Sequence, residues 1–338
     1  MSKTLLEPAL VDLPAVLAAR RRLARLLPVT PLVPLPGLSR QLGCTLSAKV
    51  ESLLPTRAFK VRGAANLLGN MTAQARALGL VAATRGNHGQ GLAWAGARFG
   101  ARCTLFVPRG NSEAKSSAMV ALGADVRVAG ADFDDACAAA AAFAATCGAR
   151  LVHPGEEAAL VAGAGTMALE LLEQCEQTPD VVIGPVGVGG CMAGVGLVLK
   201  ALAPHVSVVG VQAEAAPAVA QAWRGREACD MPCAPGFADG LAVRRPPGFT
   251  LELLRRHVGE MRLVPESALA SAMSAYLEQE RLLAEGAGAA ALAAVMCEPA
   301  RFAGRNVVLL LTGANVDMPR LTAALHGGPS HPTPLIAT

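Results

Sequence analysis

The sequence is poor in aromatic and in charged residues. Aromatic side chains make up 3% of the 338 residues and charged side chains 17%. So few rings leave little surface on which nucleic-acid bases could stack. The net charge of +4 is spread along the chain, apart from one basic run at Arg20, Arg21 and Arg22 that fits a solvated helix face. We therefore expect no nucleic-acid partner.

Long apolar runs and paired cysteines are also lacking. Charges, glycines or prolines interrupt every hydrophobic stretch before the ~18–20 residues that a membrane span needs. The first ten residues, with Glu7 among them, lack the basic-then-apolar layout of a signal peptide. Of the nine cysteines the only close pair is Cys229 and Cys233, with no second pair to complete a zinc tetrad. We expect a cytoplasmic protein with reduced thiols, no membrane contact and no metal.

Short β-branched runs alternate with alanine-rich helical stretches along the chain. This alternation is typical of α/β folds with parallel strands and right-handed crossovers. The predicted strands cover 81–84, 103–107, 126–128, 150–153, 181–183, 206–211 and 307–311, and the predicted helices include 90–99, 113–122 and 133–147. In such sheets ligands bind beyond the carboxyl ends of the strands, so functional loops are expected at 85–90, 109–112, 184–193 and 312–317.

One of these loops, Gly187–Gly194, is rich in glycine and lies between a predicted strand and a predicted helix. Glycines let backbone N–H groups converge on an anion, and the helix dipole adds to the attraction. No Lys-Ser/Thr follows, as a Walker A loop requires, and Met192 stands where the Rossmann pattern needs its third glycine. The loop favours a small phosphate group at Gly187–Cys191 over a plain turn. A variant Gly-x-Gly-x-x-Ala at 163–168 makes only a weak case for NAD.

Lysine is scarce, and one lysine stands out. The chain has 25 arginines and only five lysines, Lys3, Lys49, Lys60, Lys115 and Lys200. Arginine cannot form an imine with an aldehyde, so few residues could hold an aldehyde cofactor. Lys60 follows a predicted strand and starts a predicted helix, where desolvation and the helix N-terminus favour a neutral, nucleophilic amine. A surface lysine with its stem along apolar surface fits the spacing equally well.

The segment Pro55–Gly63, PTRAFKVRG, resembles the cofactor-lysine motif of fold type II pyridoxal-phosphate (PLP) enzymes of the serine/threonine dehydratase and serine racemase group. Further segments over roughly residues 25–325 resemble motifs of the same group in the same order, namely 84–91, 187–194, 237–241, 285–289 and 312–317. The resemblance implies a tryptophan synthase β-like α/β fold of two three-layer αβα domains with mostly parallel sheets. Residues 1–51 plus 149–338 would form the large PLP-binding domain, and 52–148 a small inserted domain.

The resemblance also implies a role for each matching residue. Lys60 would hold the cofactor as a Schiff base and act as the base at Cα, with Phe59 packed beside the ring. Asn87 would hydrogen-bond the phenolic oxygen, and Thr312 would meet the pyridine nitrogen. The other implied cofactor contacts are Gly187, Val188, Gly189, Gly190, Cys191 and Glu285. The implied contacts of the amino-acid substrate are Thr84, Arg85, Gly86, His88 and Gly240.

The reaction implied is elimination of water from a β-hydroxy amino acid such as threonine or serine, giving a 2-oxo acid and ammonia. An amino-acid racemase or a β-replacement synthase on the same scaffold is the alternative. A PLP-binding protein without turnover is a third, although the presence of both Lys60 and Asn87 counts against it. A homodimer is expected, as in the family and as the commonest closed oligomer.

Three departures from the family pattern bear on these alternatives. Arg85 stands where racemases of the group have a serine, and a guanidinium cannot serve as a base, which favours elimination. Gln212 and Ala218 stand where acidic metal ligands are expected, which weakens the case for metal dependence. Arg57 and Ala58 replace a common glycine and serine. Arg57 and Arg85 therefore either recognise a second anionic group on the substrate or pair with protein acids and solvent.

Overall fold

The computed structural model describes residues 11–226 and 237–327, so that Cys229, Cys233 and the first ten residues lie outside it. Strands alternate with helices along these ranges, as the pattern predicted. In chain order the strands are β1 (Leu32–Pro34), β2 (Thr45–Val50), β3 (Leu80–Ala83), β4 (Cys103–Val107), β5 (Asp125–Val128), β6 (Arg150–Leu151), β7 (Val181–Pro185), β8 (Ser207–Ala213), β9 (Glu260–Val264) and β10 (Asn306–Leu311).

Helices precede the first strand, connect the later ones and follow the last. In chain order they are α1 (Leu13–Leu23), α2 (Pro36–Leu42), α3 (Lys60–Asn70), α4 (Ala73–Leu78), α5 (Asn87–Phe99), α6 (Glu113–Ala121), α7 (Phe133–Cys147), α8 (Ala158–Gln174), α9 (Gly190–Leu202), α10 (Ala218–Trp223), α11 (Gly248–His257), α12 (Glu266–Glu280), α13 (Gly286–Cys297), α14 (Pro299–Phe302) and α15 (Met318–Gly327). Short 3₁₀ turns cover Glu51–Leu53 and Asp239–Leu241.

The larger sheet has six strands in the order β1-β2-β10-β7-β8-β9, and all neighbours are parallel except β1 and β2. Successive side chains of a strand point to opposite faces. Leu309 and Leu311 of β10 accordingly join a core with α2, α12, α13 and α15, whereas Val308 and Leu310 join a core with α1, α8, α9 and α11. The sheet is therefore covered on both faces, as parallel sheets require.

The smaller sheet has four parallel strands in the order β5-β4-β3-β6. Val81 and Phe106 face a core with α7, whereas Leu80 and Leu105 face a core with α3, α5 and α6. Pairing of β6 with β3 extends this sheet to Leu151, just past the boundary at 148 expected for the small domain. The division of the chain into a large and an inserted small domain stays a prediction.

Helix α3 lies between the two sheets and approaches its neighbours closely. A Cβ on Gly91 of α5 would lie 3.1 Å from the Lys60 carbonyl oxygen, and a Cβ on Gly163 of α8 would lie 2.6 Å from the Arg62 carbonyl oxygen. Glycine is needed at both positions because the backbones themselves are in contact. The start of α3 is therefore held from both sides.

Most predicted elements are confirmed, including the strand at 103–107 and the helix at 133–147. Helix α5 starts at Asn87, earlier than predicted, and β6 stops at Leu151, before His153. The segment 163–168 lies inside α8 and is no strand-to-helix turn, so it cannot hold a dinucleotide phosphate as the NAD pattern would. Within residues 11–226 and 237–327, no helix is long and apolar enough to cross a membrane.

Candidate active site

The topology brings three of the predicted functional segments to one edge of the larger sheet. Strand β10 lies between β2 and β7, so the carboxyl ends of these three parallel strands are adjacent. The chain leaving β2 leads to Lys60, the chain leaving β10 begins with Thr312, and the chain leaving β7 forms the glycine loop. The ends of β3 and β4 in the smaller sheet supply the segments around Thr84 and Lys115.

Lys60 is the first residue of α3, and its backbone is tied to the end of β10. The Phe59 amide donates to the Thr312 carbonyl at 2.9 Å, and Ala58 forms a β-bridge with Gly313. The Lys60 side chain is half-buried. Burial lowers the pKa of the Lys60 amine, and the nearby Cys191 and Glu285 only partly offset this effect. Its surroundings therefore favour the neutral form of the amine more than water does, and its role as the cofactor lysine stays a prediction.

The glycine loop between β7 and α9 fits an anion. Gly189 has a φ of 99°, and a Cβ on Gly187 would lie 2.2 Å from the Gly240 carbonyl oxygen, so neither position accepts a side chain. The Thr250 hydroxyl donates to the Val188 carbonyl at 2.5 Å and fixes the loop from behind. Cys191 is buried in the first turn of α9, and burial raises the pKa of its thiol to about 12. The loop thus presents backbone amides and no negative charge, as a phosphate requires.

The segment between β3 and α5 is held by its own side chain. The Thr84 hydroxyl oxygen accepts hydrogen bonds from the amides of Gly86 and Gly89, both at 3.0 Å. His88 is buried, and desolvation together with the charge of Lys60 lowers the pKa of His88 to about 3. Its Nε2 is buried without a hydrogen-bond partner. Since buried polar groups normally have a partner, this neutral imidazole is available to a bound molecule.

The side chains of Asn315, Asn87 and Glu285 form a hydrogen-bonded row. The Asn87 side chain donates to Glu285 Oε1 at 2.5 Å and accepts at 2.7 Å from Asn315, which also donates to the Thr56 carbonyl at 2.8 Å. Burial raises the pKa of Glu285 to about 7, although the charge of Lys115 and the Asn87 hydrogen bond act in the opposite direction. These hydrogen bonds engage both the nitrogen and the oxygen of the Asn87 side chain and so fix its orientation.

Some of the predicted residues line two cavities. Lys60, Phe59, His88, Gly190 and Cys191 line one of them, together with Pro154, Leu160 and Ala164. Gly240 and Glu285 line a second, more polar cavity with Asn315 and with an ionic group made of Lys115, Asp239 and Arg320. Asp239 Oδ2 lies 3.0 Å from Lys115 Nζ and 2.6 Å from Arg320 Nη1.

Sequence reasoning did not single out Asn315, Lys115 or Arg320 as site residues. Asn315 follows β10 in a loop that the α/β pattern marks as functional, and this position is the signal that could have identified it. Lys115 and Asp239 are paired across 124 residues of sequence. Only the three-dimensional arrangement of the two sheets reveals such a pair.

Arg57 and Arg85 are the two arginines that depart from the family pattern. The Arg85 guanidinium carbon lies 5.9 Å from the centre of the Phe133 ring at the start of α7, near Asp132. Arg57 is exposed and has a φ of 55°, a left-handed conformation that glycine adopts without strain. Neither arginine lines the two cavities, and their contribution to substrate recognition stays a prediction.

Gln212, which stands at an expected metal-ligand position, is fully buried at the end of β8. Its side-chain oxygen accepts a hydrogen bond of 2.9 Å from the Ala220 amide in α10. The Gln212 side chain therefore serves as the hydrogen-bond acceptor of a backbone amide at this position. Ala218, in the first turn of the same helix, offers no ligand atom on its side chain.

The donor set fits pyridoxal phosphate: an enclosed lysine, an amide-lined phosphate loop and a neutral hydroxyl at Thr312, which is 3% exposed. The family profile "Pyridoxal-phosphate dependent enzyme" matches residues 23–313. L-threonine ammonia-lyase from Thermotoga maritima is 36% identical over 319 residues, which cover 94% of this chain and 79% of that protein.

Solved structures lead to the same family. Threonine deaminase isoform 2 from Solanum lycopersicum has a TM-score of 0.86 at 28% identity and covers 95% of both chains. Serine racemase from Dictyostelium discoideum has a TM-score of 0.84 at 27% identity, covering 91% of this chain and 99% of that one. These matches confirm the predicted fold class and the predicted cofactor, and the chain belongs to the family of pyridoxal-phosphate dependent enzymes of fold type II.

Proposed function

We propose that the chain is a PLP-dependent ammonia-lyase that eliminates water from a β-hydroxy amino acid, threonine, serine or a relative, to give a 2-oxo acid and ammonia. The observation that carries this proposal is the desolvated amine of Lys60, enclosed between the glycine loop and the start of α5. The Thermotoga relative is named L-threonine ammonia-lyase, which supports the reaction and the substrate class.

Pyridoxal phosphate, when bound, supplies a conjugated ring that takes up negative charge from the substrate Cα. Lys60 would hold the cofactor through its aldehyde and would serve as the base at the substrate Cα. The lowered pKa of Lys60 suits this role, because a base must be unprotonated to act. Backbone amides of Gly187–Cys191 would hold the phosphate, Asn87 would bond to the phenolic oxygen, and the Thr312 hydroxyl would meet the pyridine nitrogen, with Phe59 beside the ring.

The start of α5 receives the substrate carboxylate. Helix N-termini attract anions because their first N–H groups have no partner within the helix. Thr84 holds the Gly86 amide in the turn. The His88 side chain beside it is neutral and carries no charge of its own. Gly240 lies on the opposite wall of the cleft beside the phosphate loop, where the substrate side chain passes.

A racemase is the second candidate, because serine racemase from Dictyostelium discoideum has a similar structure. Racemisation needs a base on the face of the cofactor opposite Lys60. Arg85 stands at the position where the racemase group has its serine, and a guanidinium cannot serve as a base. We infer that elimination prevails over racemisation and over β-replacement in this chain.

We also propose that the enzyme is a cytoplasmic homodimer. Two-fold dimers are the commonest closed assemblies of one chain, which supports the dimer. The absence of a membrane-spanning helix from the described ranges is compatible with the cytoplasm. Sedimentation of the purified protein tests the dimer directly.

Incubation of the PLP-loaded protein with threonine, serine and related hydroxy amino acids tests the reaction. We expect 2-oxo acid and ammonia in equal amounts, with a change in cofactor absorbance on substrate addition. Chiral chromatography follows inversion, and mass spectrometry follows new Cβ adducts. Inversion at a rate comparable to ammonia release would favour the racemase, and an unperturbed spectrum without product would favour a PLP-binding protein without turnover.

A further inference from the structure

Four charged side chains lie buried together beneath the start of α3. Lys49, Glu51, Arg62 and Glu170 are each at most 2% exposed, and none of them lines the cavity that contains Lys60. Two are cations and two are anions, so their formal charges balance. We call these four residues the buried ion cluster.

Arg62 is the centre of the buried ion cluster. Its guanidinium donates to both oxygens of Glu51, at 2.6 and 2.9 Å, and to both oxygens of Glu170, at 2.7 and 2.8 Å. Further contacts of 3.2 Å reach the hydroxyls of Thr166 and Thr30. Every nitrogen of the guanidinium is engaged, so the planar group has one permitted orientation.

Lys49 and Glu170 complete the buried ion cluster. Lys49 Nζ donates to Glu170 Oε2 at 2.9 Å, to the Thr30 carbonyl at 2.6 Å and to Gln174 Oε1 at 2.8 Å, which uses all three protons of an ammonium. Burial alone would raise the pKa of Glu170, but the hydrogen bonds and charge of Arg62 outweigh it and lower this pKa to about 2. Glu170 therefore stays ionised throughout the pH range of an enzyme assay.

The buried ion cluster fixes both ends of the segment that carries the reactive lysine. Glu51 and Arg62 are 11 residues apart, and Lys60 lies between them. We call Glu51–Arg62 the lysine arch. Its middle is tied to the end of β10 through the Phe59 amide, at 2.9 Å from the Thr312 carbonyl, and through the Arg57 carbonyl, at 2.9 Å from the Ala314 amide. Arg57 adopts a strained left-handed conformation inside the arch, which persists only where the surroundings over-determine the backbone.

Stability alone does not account for such a cluster. Burial of charges is costly, and replacement of a buried ion group by apolar side chains of similar volume is often neutral or stabilising. A guanidinium whose nitrogens all form hydrogen bonds, however, is held in one orientation, which apolar packing does not achieve. We propose that Glu51, Arg62 and Glu170 are positioning residues, which aim the Lys60 amine through the lysine arch. The inference rests on the proposal that Lys60 is the cofactor lysine.

The experiment compares variants of the PLP-loaded protein by three measurements: melting temperature, rate of borohydride trapping of PLP at Lys60, and kcat apart from KM. Glu170→Gln removes one charge from the buried ion cluster, and Glu173→Gln, on the exposed surface of the same helix, is its matched control. A fourfold apolar variant, Lys49→Met, Glu51→Leu, Arg62→Met and Glu170→Leu, removes every charge of the cluster. Arg62→Lys keeps the charge and loses the fork.

We expect the apolar variant to melt near the parent temperature while its kcat and its trapping rate at Lys60 fall by ~10–100-fold, since small misplacements of a reacting group have effects of this size. Arg62→Lys should show the same loss, with KM changed far less than kcat. Should the apolar variant not fold, Glu170→Gln and Arg62→Lys, assayed well below their melting temperatures, decide the question.

Parental kcat and trapping rate in the folded variants would overturn the positioning role and leave the cluster purely structural. The positioning role would also be overturned if the variants lost activity only in proportion to their lower melting temperature and regained parental activity when assayed at low temperature. Failure of the proposed function is distinguishable, because PLP would then be trapped on a different lysine in the parent protein itself.

Discussion

The two sides of the cleft differ in how firmly the protein holds them. On the larger sheet, β7 and all of β10 beyond its first residue are buried, and they lead into the phosphate loop and Thr312. On the smaller sheet, β3 is buried as well. Its edge strands β5 and β6 are largely exposed, however, whereas the edge strands β1 and β9 of the larger sheet are mostly half-buried. By our proposal the larger sheet supplies the phosphate loop and Thr312, whereas the smaller sheet supplies Asn87 to the cofactor and Thr84 to the substrate. Since regions with fewer buried contacts open more readily, we expect the smaller sheet to be the more mobile side of the cleft.

The largest expected effect comes from removal of the reactive amine on the side of the larger sheet. Lys60→Ala should abolish both the covalent bond to PLP and turnover, because no other group at this position can form an imine. Absorbance of the bound cofactor and borohydride trapping measure the bond. Lys200→Ala, on the exposed surface of α9, is the control and should behave as the parent. Trapping on Lys49, Lys115 or Lys200 in the parent protein would contradict the assignment.

A second change targets the tight contact behind the phosphate. Gly187→Ala places a Cβ 2.2 Å from the Gly240 carbonyl oxygen, so the loop must move. Displacement of even one amide from the phosphate loses a charge-assisted hydrogen bond of ~1.5–3 kcal/mol, and PLP affinity should fall ~10–100-fold. Fluorescence titration with PLP measures it. Gly248→Ala, at a glycine with open space around it, should bind PLP normally. Equal affinities for the two variants would show that the contact does not matter.

A third change tests the junction between the two sides at Glu285. Because burial raises the pKa of Glu285 to about 7, the folded protein retains this proton between pH 4.5 and 7 while the unfolded chain loses it. Stability of the PLP-free protein should therefore decline as pH rises through this window. Glu285→Gln should make the decline shallower by up to about 1.4 kcal/mol per pH unit, measured by urea denaturation. The surface variant Glu176→Gln should keep the parental slope, and a parental slope in Glu285→Gln would disprove the raised pKa.

Arg85 belongs to the more exposed side, and a smaller effect is expected there. Since its guanidinium lies over Phe133 and near Asp132, we expect Arg85→Ala to lower kcat/KM for threonine and for a hydroxy amino acid with a distal carboxylate by the same factor of ~2–5. Competition assays with both substrates measure this, with Arg57→Ala as the comparison. A loss of ~10–100-fold for the acidic substrate alone would instead show that Arg85 recognises a second charge.

Removal of divalent cations should have the smallest effect of all. Gln212 bonds to the Ala220 amide where a carboxylate ligand is expected in the family, and Ala218 has no ligand atom on its side chain. Too few carboxylates remain at this position to hold a hard cation. We expect EDTA to leave kcat and melting temperature unchanged. A large loss that magnesium or calcium restores would point to a metal site elsewhere.

Local features of the site were predictable from sequence. The glycine loop, the segment after β3 and the lysine at a helix start each depend on neighbours within a few residues, and the structure places all three at strand ends. The match of 84–91 to a family motif likewise located Asn87. Short β-branched runs located most of the strands, because strands buried on both faces are apolar along their whole length.

Long-range partners were not predictable. Asn87 bonds to Glu285 across 198 residues, and Arg62 bonds to Glu170 across 108. Both bonds join segments that are brought together only by the packing of the two sheets and their helices, and no local pattern encodes that packing. The resemblance named Glu285 as a cofactor contact but not its bond to Asn87. The function of Arg62 as the centre of a buried group was equally hidden, since an arginine in a motif is usually assigned to the ligand.

The engagement of the lysines has a practical consequence for chemical labelling. Lys49 and Lys115 are ion-paired, Lys60 lies in the cleft, and Lys200, among the lysines of the described ranges, is the exposed one. Within the described ranges, an excess of aldehyde in solution therefore meets Lys200 as the one exposed lysine amine. Intact-mass measurement after borohydride treatment should resolve a single dominant adduct, so that occupancy of the cofactor site can be counted directly from the spectrum.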